Sequence, residues 1–380
     1  MRGEIRSVLA AGKICTVILV VLIAMTVPGD DVAFSQAGAG TAGRAALFTA
    51  IDLTPSGFTN THAWGISAGR QVGDGYDQAT GETHALLWRG TATSVVDLNP
   101  AGFAESEARG ICGEQQVGNG KGPATGGRRH ALLWRGAAAG VVDLHPSGFA
   151  ASEALGTSGG QQVGYGSGPT AEGDHALLWR GSAASAVDLN PSGFSSSRAA
   201  GISGGQQVGY GSGPTTEGEH ALLWRGSAAS VVDLHPREFG SSQALGITGD
   251  QEVGWGYIDV GAGMPAWVFH ALLWRGSAAS MVDFKSSGFQ ALGTSGEEQV
   301  GVGNGDALLW RGSGTTVVDL HAFLPPGFEH SYAAGIDSNG DVVGFASSSE
   351  SYSSHAFLWK RNAPKAVSSP GQDIARCENP

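Results

Sequence analysis

The chain has 380 residues, a formal net charge of −12, 41% hydrophobic residues and only 15% charged ones, where ordinary globular chains carry roughly 25% charged. A chain so acidic, with no Lys/Arg stripe, repels phosphate backbones, which excludes nucleic acid as a partner and disfavours anionic membrane surfaces. Its 62 glycines recur at fixed places in a pattern, which indicates turns between many short strands and argues against both disorder and long helices.

The N-terminus reads as an export signal. Arg2, Arg6 and Lys13 precede an apolar run from Ile14 to Val27, and small residues follow up to Ala37. The run has 14 residues, short of the roughly 18–20 that a bilayer-crossing helix needs. Residues 1–37 are therefore expected to be a signal peptide and the product secreted or periplasmic, with no membrane span after cleavage; an uncleaved anchor is the alternative. Residues 38–46 read as a linker, 47–369 as the repeat region and 370–380 as a tail. Export would leave Cys112 and Cys377, which could pair, although Ser203 at the position equivalent to Cys112 shows that the framework does not need the bridge.

From residue 47 onwards one unit repeats. The pentapeptide His84-Ala-Leu-Leu-Trp88 returns around Trp134, Trp179, Trp224, Trp274, Trp310 and Trp359, at intervals of 36 to 50 residues. Such a period, filled with short strands, marks propeller blades. Residues 198–233 show the plan: Arg198–Ser203, a Gly-Gly turn, Gln206–Tyr210, a glycine-rich loop, His220–Trp224, a short turn and Val231–Asp233. These apolar runs bounded by turn residues predict a four-stranded antiparallel meander. Six times an Asp stands nine residues after the Trp (Asp97, Asp143, Asp188, Asp233, Asp283 and Asp319), so the hairpin between them is constant. After Trp359 that strand is missing, and the chain begins with its counterpart, Ile51-Asp52-Leu53. Pairing the two closes a ring and removes the free sheet edges. The expected fold is an all-β, seven-bladed β-propeller closed by the N-terminal strand.

Gly335-Ile336-Asp337, Val342-Val343-Gly344 and His355-Ala-Phe-Leu-Trp359 resemble the G-I-x, V-V-G and H-A-F-L-W pattern of the HAF-type extracellular repeat family. The other units carry Leu for that Phe. The resemblance spans roughly residues 47–369 and implies an exported, propeller-like repeat protein. It brings no catalytic residues.

The recurring His84, His130, His175, His220, His270 and His355 fall on different blades, so they do not converge on one metal or catalytic centre. Each is expected to be buried and bonded within its blade, to backbone or to the recurring Asp. The tryptophans read as packing between blades. Gly201–Gly205 matches G-x-S-x-G, but a strand follows where a nucleophile elbow needs a helix. Asp337–Asp341 lacks the later Glu of a calcium loop and reads as an Asn-Gly hairpin. No metal, cofactor or catalytic residue is expected. The fifth unit enlarges its variable loop and places Trp255, Tyr257 and Trp267 there, aromatics suited to a sugar ring or a peptide. An enzyme would break the repeat symmetry with Glu, His, Lys or Tyr clustered on several rims. Four of the seven units are nearly interchangeable, so the expected function is a non-enzymatic binding or scaffold module with an unknown glycan, peptide or protein ligand. The alternative is an exported propeller enzyme, a lyase or hydrolase acting from one rim.

Overall fold

The computed structural model describes residues 47–362 apart from 170–172, 260–266, 313, 315 and 349–352. The expected signal peptide, linker and tail, with Cys377, lie outside the described residues; Cys112 is disulfide-bonded. Seven four-stranded antiparallel sheets form a ring. In blade 1 the strands are Phe58–Ser67, Arg70–Asp77, Glu82–Trp88 and Val96–Asp97. In blade 4 they are Ser196–Ser203, Gln206–Ser212, His220–Trp224 and Val232–Asp233. Strands of the Phe58–Ser67 type contact one another from blade to blade and are innermost, whereas the two-residue Val-Asp strands lie outermost.

Closure is as the split unit implied. Phe48–Asp52 pairs antiparallel with Ser353–Arg361, Ile51 opposite Leu358, and completes blade 7. Arg361 of that last strand also reaches back to blade 6, 2.9 Å from Glu298, with its guanidinium 4.8 Å above the ring of Phe48.

The repeat residues act between blades. Every HALLW-type Trp is fully buried and packs on the blade before it, as Trp88 does against Leu53, Val343 and Leu358. Each inner strand carries a bulge, in blade 4 between Ala199 and Gly201. This explains the recurring Val-Gly pair: a Cβ on Gly209 would stand 1.9 Å from the Arg198 carbonyl oxygen, and one on Gly73 would stand 1.8 Å from that of His62. Only glycine lets the second strand approach there.

Two further devices join neighbouring blades. The N–H of Ala85 donates to Ser106 Oγ of the next blade at 3.0 Å, and Ala176 donates to Ser197 Oγ at 3.1 Å. Phe289 takes that serine's place between blades 5 and 6 and packs against Trp310. Beside these clips, the residue before the recurring His latches onto the next inner strand. The latches are Arg129–Glu153 at 2.6 Å, Asp174–Arg198 at 2.5 Å and Glu219–Gln243 at 2.5 Å. Among the described residues no helix is long and apolar enough to cross a membrane.

Candidate functional site

The recurring histidines form a belt in the outer half of the ring. Nδ1 lies 2.8 Å from Asp97 in His84, 2.7 Å from Asp143 in His130, 2.7 Å from Asp188 in His175, 2.8 Å from Asp233 in His220, 3.0 Å from Asp283 in His270 and 2.7 Å from Asp52 in His355. The other carboxylate oxygen usually accepts the backbone N–H two residues on, as Asp97 does from Asn99. In blade 6 Asp306 takes the place of the recurring His, and His321, two residues after Asp319, lies with Nδ1 3.4 Å from Asp306. In that blade Asp319 accepts the N–H of Ala322. The pairs are separate, one per blade. Among the described residues no group of three or more His, Cys, Asp or Glu could hold a metal ion.

The enlarged fifth unit is built differently from a loop. Trp255 and Tyr257 stand on the strand Gln251–Asp259, and Trp267 opens the strand Trp267–Trp274, opposite Asp259. Alternating aromatic and apolar residues extend the hairpin because they favour paired, half-buried strands; only the tip, 260–266, lies outside the described residues. The rings of Trp255 and Tyr257 stack 6.5 Å apart, and Phe269 packs 5.2 Å and 6.1 Å from them.

Around the axis the blades differ. Directly cross-strand pairs of the two innermost strands share one face of each blade. They read His62–Asp74, Glu107–Asn119, Glu153–Tyr165, Arg198–Tyr210, Gln243–Trp255, Gln290–Val302 and Tyr332–Phe345. No pair occurs twice. The bulged residue next to them is Leu or Ala in five blades but Trp64 in blade 1 and Arg109 in blade 2. Polar and aromatic chemistry therefore concentrates where blades 7, 1 and 2 meet.

At that meeting point His62 Nδ1 lies 3.0 Å from Asp74 Oδ2, and Trp64 Nε1 donates to Asp74 Oδ1. Asp74 is buried, at 6% exposure, while the His62 side chain keeps 24%. Burial pushes the Asp74 carboxyl up. The charges of His62 and Arg109 and the bonds from His62 and Trp64 more than offset it, so the group sits below its ordinary value and stays ionised. The His62 ring stacks on Trp64 at 5.5 Å and meets the edge of Phe345 at 4.8 Å. Arg109 lies 4.7 Å above the Trp64 ring and pairs with Glu107 at 2.5 Å. Tyr332, stacked on Phe345 at 5.1 Å, is pushed up to about 12 by burial, with Arg109 pulling the other way, and is a neutral hydroxyl at physiological pH.

This arrangement escaped the sequence reading, which weighed constant columns and loop length. The signal was present in the columns that vary inside strands of constant length: position 62 and its equivalents hold His, Glu, Glu, Arg, Gln, Gln and Tyr.

No family model matches the chain, and no curated protein sequence matches it. Solved structures do. A Mycobacterium tuberculosis puromycin-hydrolysing peptidase is similar at 13% identity and a TM-score of 0.49, over 82% of this chain and 54% of its own. A prolyl endopeptidase is similar at 10% identity and a TM-score of 0.47, over 79% of this chain and 50% of its own. A puromycin hydrolase is similar at 11% identity and a TM-score of 0.47, over 78% and 51%. The chain thus spans about half the length of these peptidases, and the likeness is one of fold alone.

The expectation of a non-enzymatic binding or scaffold module is corrected here. The similar solved structures are hydrolytic enzymes. The symmetry-breaking His, Glu and Tyr cluster whose lack had argued against an enzyme is present, hidden at the axis and not on the rims.

Proposed function

We propose that this chain is a propeller enzyme of the hydrolase class, working by general acid–base catalysis from His62. The observation that carries the reading is the dyad: a half-buried imidazole whose Nδ1 faces a buried, ionised carboxylate 3.0 Å away. Asp74 fixes the ring's orientation through Nδ1, and Trp64 Nε1 fixes Asp74 in turn. Nε2 is then the nitrogen that exchanges protons. It takes one from an attacking water as the water oxygen bonds to the substrate, and returns it to the leaving group as the old bond breaks. The Arg109 cation over the Trp64 ring and the neutral Tyr332 hydroxyl, stacked on Phe345, are the groups of this cluster suited to stabilise developing negative charge. The basic and apolar leader, together with the resemblance to HAF-type repeats, supports an exported setting.

The test is a screen of the purified protein against ester, amide, glycoside and phosphoester substrates, repeated with His62→Gln and Asp74→Asn. The expected result is turnover that falls by about 10²–10⁴-fold in His62→Gln at an unchanged melting temperature. Turnover that survives His62→Gln, or no turnover on any of the four classes, refutes the assignment.

A further inference from the structure

A cation follows the recurring Trp in all seven blades: Arg in six and Lys360 in blade 7. Each stands at the C-terminal end of the third strand, which is paired in one register from blade to blade, with Gln71 opposite Trp88, Gln162 opposite Trp179 and Gln207 opposite Trp224. In an antiparallel meander all turns of this type emerge on one face. That face is opposite to the variable loops, and its seven cations lie at equivalent heights around the ring. All seven are exposed.

Their partners differ. Arg311 is tied to Glu298 at 2.8 Å and Lys360 to Asp341 at 2.5 Å. Among the described residues Arg89, Arg135, Arg180, Arg225 and Arg275 form no ion pair, so five consecutive blades present unpaired guanidinium groups. In blades 3 to 5 the turn after each Arg is Gly-Ser-Ala-Ala-Ser, built of small residues. Exposed acids on the same face are Glu114, whose carboxylate is held by Arg70 at 2.5 Å, Asp250 and Glu297. The inner turns of blades 3 and 4, Gly159-Gly160 and Gly204-Gly205, carry none. The positive arc is therefore cleanest over blades 3 and 4.

We infer that this face docks on a planar anionic surface, the phosphate headgroups of an acidic phospholipid bilayer. The overall charge of −12 does not prevent it, because fields from exposed charges fade over about 10 Å at 0.1 M salt and the acidic residues are spread largely over the outer belt and the opposite face. The arc's geometry selects the occupant. Cations at one height on a broad ring meet a plane all at once, whereas a linear polyanion would need a stripe or a groove. The only exposed large apolar side chains among the described residues are Leu47 and Tyr76, neither of them on this arc. Adsorption is thus electrostatic, reversible and salt-sensitive.

The experiment is co-sedimentation of the full chain with mixed phosphatidylglycerol–phosphatidylcholine vesicles and with pure phosphatidylcholine vesicles, at low and high salt. The inference expects binding that requires phosphatidylglycerol, is released by salt and drops at least about tenfold in Arg135→Glu/Arg180→Glu/Arg225→Glu. Arg237→Glu, an exposed change on the opposite face, should bind like the parent. If the triple variant fails to fold by its melting curve, Arg180→Gln replaces it, with a smaller but measurable loss. Equal binding to both vesicle types, binding indifferent to the arginines, or capture by soluble polyphosphate but not by vesicles would each overturn the inference.

Discussion

Around the outer half of the ring, six blades repeat the same chemistry, a His–Asp pair over a buried Trp, while around the axis no two blades present the same cross-strand pair. The belt is uniform because it solves one problem seven times. Each blade must bury a large aromatic ring against its neighbour. The axis is under no such demand. Its residues meet one another across seven different junctions, so no one pair has to recur. Uniform columns report what holds the fold together, and columns that vary between constant neighbours report what the fold is used for.

Three variants probe that division, in descending order of expected effect. Trp224→Ala removes a fully buried ring between blades 3 and 4 and should cost about 3–5 kcal/mol, read from denaturant midpoints. A loss no greater than that of His62→Gln would erase the distinction between belt and axis. Ser197→Ala deprives the buried Ala176 N–H of its acceptor and should cost about 1–3 kcal/mol, with Asn190 losing its partner as well. A neutral result would mean that the clip between blades is dispensable.

The smallest effect is one of pH. Burial, with the His130 ring stacked on it at 3.9 Å, holds His145 below the ordinary imidazole value of 6.5, and burial with His220 does the same to His235. The unfolded chain then takes up protons that the folded chain refuses. Stability from these sites is present in full above about pH 6.5 and is lost as the pH falls from there toward the folded-state values. Asn occupies the same position in blades 1 and 3, where Asn99 and Asn190 accept the clip serine. His145→Asn/His235→Asn should therefore keep the fold and flatten the decline between neutral pH and about pH 5. An unchanged slope would place the titration elsewhere.

The sequence already showed the meander, the seven-fold count and the closure of Ile51 onto the last unit, because these depend on spacing and spacing is visible in a repeat. Other features depended on three-dimensional approach. Nothing in the string indicates that the second strand's Gly73 sits against a bulge, or that position 62 of one blade faces Phe345 of another. Trp255 and Tyr257 were placed in a loop because the interval lengthened there, whereas strand-forming aromatics had lengthened the hairpin itself. The His62–Asp74 pair was missed because twelve residues separate its members and no other unit repeats it.

The three latches carry a consequence for how such a chain assembles. Blades 2, 3 and 4 are close copies, and near-identical repeats risk joining in the wrong order or across two chains while folding. Their latch charges alternate in sign: Arg129 meets Glu153, then Asp174 meets Arg198. A chain that skipped blade 3 would bring Arg129 onto Arg198. Two third blades from separate molecules would set Asp174 against Glu153. Both errors place like charges together at partly buried junctions, where repulsion is least screened. Only the native order sets opposite charges together at both junctions, so the latches favour it over either error.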